Sequence, residues 1–74
     1  MSTKIDTVNV VEYANDALLS VRSFTETPEG NEEAEGLFRS LAQENGIDAD
    51  EIEVGLEDGW VESGDYQLFI SHSI

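Results

Sequence analysis

Residues 31–46, NEEAEGLFRSLAQENG, contain the apolar stripe that the rest of the chain must cover. Ala34, Leu37, Phe38, Leu41 and Ala42 recur at helical spacing, while Glu32, Glu33, Glu35, Arg39, Gln43 and Glu44 fall off that line. Asn31 has N-cap chemistry, and acids fill the first turn, where the helix dipole favours them. Gly46 suits the left-handed residue just past the end. A helix over residues 31 to 45 follows. Thr27-Pro28-Glu29 offers an earlier start as cap, first-turn proline and acid. Gly30, a poor interior residue, argues for Asn31 instead.

Upstream, residues 5 to 13, IDTVNVVEY, are rich in β-branched residues and read as a strand. Val8 and Val10 share one face, and Ile5, Val11 and Tyr13 the other. Ala14-Asn15-Asp16 supplies a turn, because Asn and Asp tolerate left-handed backbone. Residues 17 to 24, ALLSVRSF, return as a second strand, with Leu19 and Val21 on one face and Leu18 and Phe24 on the other.

Downstream, Asp48 and Glu51 have capping-box spacing, and Ile47 can staple onto Ile52. That pattern predicts a second helix over residues 49 to 57, with Ile52 and Leu56 inward and Gly59 beyond its end. Ile52, Val54 and Leu56 also alternate with Glu51, Glu53 and Glu57, which fits a strand; the capping pattern favours the helix. Residues 60 to 62 form an extended lead-in, Ser63-Gly64-Asp65 a turn or bulge, and residues 66 to 73 a strand.

The expected order is β-β-α-α-β, an α+β fold: one domain over residues 1–74, a small three-stranded antiparallel sheet with helices packed on one face. Residues 56–66, Leu56-Glu57-Asp58-Gly59-Trp60-Val61-Glu62-Ser63-Gly64-Asp65-Tyr66, together with His72-Ser73, resemble the C-terminal half of small acidic bacterial and phage proteins of unknown function. The resemblance covers about a third of the chain; it agrees with this element order and implies no activity.

With 74 residues and no cysteine, neither a disulfide nor a thiolate metal site staples the core. Homodimerisation is one way for such a chain to gain buried area. No apolar run reaches the length of a membrane span. The opening residues, MSTKIDTVNVVEY, show no basic region followed by an apolar block, so no signal peptide and a cytoplasmic location are expected.

Charge is the dominant feature. Seventeen acids stand against three basic residues, Lys4, Arg22 and Arg39, for a formal net charge of −14. Fourteen of those acids and one arginine lie between Glu26 and Asp65. Such a surface repels nucleic acid and anionic lipid, so neither direct nucleic-acid binding nor membrane binding is expected.

Catalytic and metal chemistry find little support. Asp48-Ala49-Asp50 opens like a calcium loop, but the sixth position is Glu53 instead of Gly and the twelfth is Gly59 instead of Glu. Glu57, Asp58, Glu62 and Asp65 flank a turn and read more simply as a solvated acidic surface. His72 is the only histidine, so no zinc site is expected. Ser71, His72 and Ser73 alternate along a strand, which keeps either serine from using His72 as its base. No catalytic residue, metal or cofactor is expected, and the chain reads as a non-enzyme.

A basic protein is the partner that the charge suits. Glu32, Glu33 and Glu35 on the first helix, with Glu57, Asp58, Trp60 and Glu62 further on, are the candidate binding residues. Trp60 beside carboxylates can stack on Arg or Lys, although a tryptophan in so small a domain more commonly closes one end of the core. Two other readings explain the same charge. One is a phage-type nucleic-acid mimic that blocks a DNA-binding or defence protein. The other is adaptation to high salt, which should also have acidified residues 1 to 25.

Overall fold

The computed structural model describes residues 6–72. Six elements occur: β1 (Thr7–Ala14), β2 (Ala17–Thr25), α1 (Pro28–Glu44), α2 (Ala49–Asp58), β3 (Trp60–Ser63) and β4 (Tyr66–His72). The strands form one antiparallel sheet in the order β2-β1-β4-β3. The α+β class stands, with four strands instead of three and the order β-β-α-α-β-β. Ile5 and Ser73, expected at strand ends, lie outside the described residues.

The extra strand is the stretch read from sequence as a lead-in. Trp60–Ser63 pairs with β4 through Gly64-Asp65, and Gly64 has φ 59°. A glycine with positive φ at the first of two loop residues is the chemistry of a tight hairpin. In the first hairpin Asn15 and Asp16 have φ of 54° and 63°, so both left-handed positions fall on residues that tolerate them. The Asn15 N–H donates to the Asp65 carbonyl (3.1 Å), tying the two turns together.

Helix α1 starts one turn before Asn31. Thr27 is the N-cap, its Oγ1 accepting from the Gly30 N–H at 3.0 Å, and Pro28 opens the first turn. Gly30 is inside the helix because a Cβ there would sit 1.7 Å from the Thr25 carbonyl oxygen. Tertiary contact outweighs glycine's poor propensity. At the other end Gly46 donates to Gln43 (3.1 Å) and Ile47 to Ala42 (3.0 Å), the Schellman pair that a left-handed C′ glycine permits.

Helix α2 forms where expected and ends at Gly59 (φ 96°). Its cap differs from expectation: Asp48 occupies the N-cap position but makes no side-chain cap hydrogen bond. Asp48 is exposed, and the first turn that its carboxylate would cap already carries Asp50 and Glu51, whose like charge opposes that contact.

The core lies between the helices and one face of the sheet. Ala34, Phe38 and Ala42 of α1 and Ile52 of α2 meet Val8, Val10, Val61, Tyr66, Leu68 and Ile70, with Ile47 closing the corner. Leu37 and Leu41 are partly buried against it. Burying Phe38 alone is worth about 2–3 kcal/mol, a large share of the stability open to a chain this small. Glu12 shares this face; its carboxylate accepts hydrogen bonds from Ser20 Oγ and from the Tyr66 hydroxyl, the latter at 2.7 Å.

Register also moves Leu18. Glu12 pairs with Ser20 but Tyr13 with Leu18, so Leu19 is the extra residue of a β-bulge. Leu18 therefore sits beside Tyr13, on the face opposite Phe24, contrary to plain alternation. That outer face, which also presents Val11, Val21, Phe69 and Trp60, is covered by neither helix. Tyr13 and Phe69 meet edge to face on it, with ring centroids 5.7 Å apart.

Candidate functional site: an acid-rimmed cleft between α2 and β3

Helix α2 turns Ile52 and Leu56 inward, and 3.6-residue periodicity then places Asp50, Val54 and Asp58 in one line along its flank with Glu51 beside them. Gly55 seats this flank on β3: a Cβ there would fall 2.0 Å from Val61 Cγ1 and 3.0 Å from the Trp60 carbonyl oxygen. Only a missing side chain allows the helix to come so close. The Gly59 carbonyl then accepts from Ile70 N–H (2.8 Å), fixing the corner where α2 becomes β3.

The result is an open cleft of about 380 Å³. Val54, Gly55, Trp60 and Val61 make an apolar floor, and Asp50, Glu51, Asp58 and Glu62 rim it. Trp60 is 46% exposed and Val54 57% exposed. Trp60 thus does not serve as a plug for the core. No Lys or Arg lines the cleft; of the two arginines among the described residues, Arg39 pairs with Glu53 and Arg22 stacks on Phe24.

Of the residues that the sequence suggested, Asp58, Trp60 and Glu62 come together here. Glu57 is exposed on α2 outside the lining, and Glu32, Glu33 and Glu35 are exposed on α1, also outside it. Sequence reasoning missed Asp50, Glu51 and Val54. Their signal was the i, i+4, i+8 spacing of Asp50, Val54 and Asp58 on a helix already expected.

The chemistry of this cleft is charge and apolar contact. A cleft lined by four exposed acidic residues together with Val54 and Trp60 suits a side chain with an aliphatic stem and a cationic head. Elsewhere, His72 pairs with Glu26, and Ser71 takes the opposite face of β4. Among the described residues no three His, Asp or Glu side chains converge to hold a metal ion, and no helix is long and apolar enough to cross a membrane.

Burial of Tyr66 raises its phenol well above the ordinary value of 10, and the hydrogen bond to Glu12 and the nearby carboxylates of Glu12 and Glu44 raise it further. The hydroxyl stays protonated and acts as a fixed donor to Glu12.

No protein-family model, curated protein or solved structure matches this chain.

Proposed function

We propose that this domain is a non-catalytic protein-interaction module that seats an arginine or lysine of a basic protein partner in the α2–β3 cleft. One observation carries the reading: an exposed tryptophan and valine form the floor of a cleft rimmed by Asp50, Glu51, Asp58 and Glu62, with no cation of the chain among them. An apolar stem lies against Val54 while the charge meets the indole face and the carboxylates. A cation over tryptophan contributes about 0.5–2 kcal/mol, and the surrounding net charge speeds the encounter.

Simple salt adaptation would explain the acids but not a half-exposed tryptophan at their centre. A nucleic-acid mimic would use the same acids, and its partner would likewise be basic; what separates it is whether nucleic acid competes for that partner.

Trp60 is the chain's only tryptophan, so its fluorescence reports on the cleft. The experiment is a titration with an arginine-rich peptide and with the same peptide carrying glutamine for arginine. The expected result is a saturable change with the first, weakened by salt, and none with the second. Substituting Trp60→Phe, followed by calorimetry, should weaken binding only a few-fold because an aromatic face remains, whereas Trp60→Ala should weaken it by about 2- to 30-fold. Equal binding of both peptides would overturn the reading.

A further inference from the structure

We infer that the open face of the sheet is a self-association surface, and that its occupant is a second copy of this chain. The face meets the cleft at Trp60 and Glu62, so a second copy seated on it would cover that edge of the cleft. Val21, Val11, Phe69 and Trp60 stand side by side in register across all four strands, forming one apolar row over the face. Leu18 and Tyr13 add a second, shorter row. Val21 and Leu18 are 52% and 57% exposed. A contiguous apolar surface of this kind, left bare on a small domain, marks a contact site.

Charge identifies the occupant. The strand residues on this face include a single acid, Glu62, at its margin, although the chain carries 17. Away from that margin a basic partner has no carboxylate on the strands of this face to pair with, whereas a surface that is nearly neutral and apolar complements itself. Repulsion between two chains of net charge −14 is the obvious objection. Face-to-face sheets pack about 10 Å apart, and the helices add a layer of about 10 Å on each outer side. The acid-bearing helices of the two copies would thus lie roughly 30 Å apart, several times the Debye length of about 8 Å in physiological salt.

The area is that of a weak, reversible contact. Four strands spaced about 4.8 Å apart, each with about seven residues rising about 3.3 Å, give a footprint of roughly 440 Å² before side-chain relief is counted. Small specific interfaces cover about 600 Å² per partner. Two such faces related by a two-fold axis would stack as a sandwich with strands inclined by about 30°.

Sedimentation equilibrium over about 10 μM to 0.5 mM protein at physiological salt tests this. The expected result is a reversible monomer–dimer equilibrium. Val21→Lys and Val11→Lys, each placing a charge on the face while lowering the net negative charge, should raise the dissociation constant more than about tenfold. Ser40→Lys, with the same charge change on exposed α1, should leave it unaltered. Circular dichroism confirms that each variant is folded, and the half-exposed Val21 site keeps the test valid if Val11→Lys is not. A monomer throughout the range would overturn the inference. So would a dimer sensitive to Val21→Lys but not to a folded Val11→Lys, which would mean pairing along the β2 edge, or a dimer indifferent to both.

Discussion

Replacing Gly30 with alanine sets the local preference of α1 against its packing. In an open helical position this exchange stabilises by about 1 kcal/mol, because glycine loses more backbone freedom on folding. At Gly30 the new Cβ would lie 1.7 Å from the Thr25 carbonyl oxygen and 2.9 Å from its carbon. Both are backbone atoms, and the oxygen also accepts from the Thr27 N–H at 2.8 Å, so it cannot swing aside freely. Relief requires the first turn to shift. Overpacking of this sort costs about 1–3 kcal/mol, and disturbing the Thr27 cap adds about 1 kcal/mol. Set against the propensity gain, Gly30→Ala should destabilise by about 2 kcal/mol. Gly36 is the matched control: it lies in the same helix, is exposed, and a Cβ there meets nothing within 4 Å. Gly36→Ala should stabilise by about 0.5–1 kcal/mol. Urea unfolding monitored by circular dichroism measures both. With a slope of about 1 kcal/mol/M, one midpoint should fall by about 2 M and the other rise by about 0.5–1 M. A Gly30→Ala protein as stable as the parent would refute a helix that begins at Pro28 with Gly30 packed under Thr25.

Thr27→Ala removes the side chain that accepts from Gly30 N–H and should cost about 1 kcal/mol in the same urea assay; an unchanged midpoint would move the helix start back to Asn31. Tyr66 gives a pH signature. Its folded-state pKa lies above the unfolded value of 10, so its contribution is complete below about pH 10 and declines as pH rises beyond it. The stability gap between the parent and Tyr66→Phe should therefore hold up to about pH 10 and narrow between about pH 10 and pH 11.5 in urea titrations, and a gap that widens would contradict a buried, neutral phenol. Reversing Glu32, Glu33 and Glu35 to Lys should slow association with an arginine-rich peptide without changing its dissociation rate, because these acids steer from outside the cleft. Stopped-flow kinetics distinguish the two rates, and a faster dissociation would place the peptide on α1.

The parts of the fold legible in sequence were those fixed by local chemistry. The stripe from Ala34 to Ala42, the left-handed tolerance of Asn15 and Asp16, and the C′ glycines at Gly46 and Gly59 all act within a few residues. What escaped was set by contacts between elements. Gly30 looked like a helix breaker because the Thr25 carbonyl that demands it belongs to β2. Trp60–Ser63 has one buried residue, Val61, too few to show strand alternation, and becomes a strand only beside β4. Leu18 changed face through a bulge with no distinctive residue of its own. The cleft was half visible: Asp58, Trp60 and Glu62 are neighbours in sequence, whereas Asp50, Glu51 and Val54 join them only because Gly55 lets α2 rest on Val61.

The most direct test of the cleft as the binding site is amide chemical-shift mapping of the labelled domain with an arginine-rich peptide at low salt. The expected result is a saturable set of shifts concentrated between Asp50 and Glu62, with the Trp60 indole N–H among the largest, and little change at Glu32, Glu33 and Glu35. Shifts centred on the first turns of α1, or an indole resonance that does not move at saturation, would contradict the cleft as the place where this domain meets its partner.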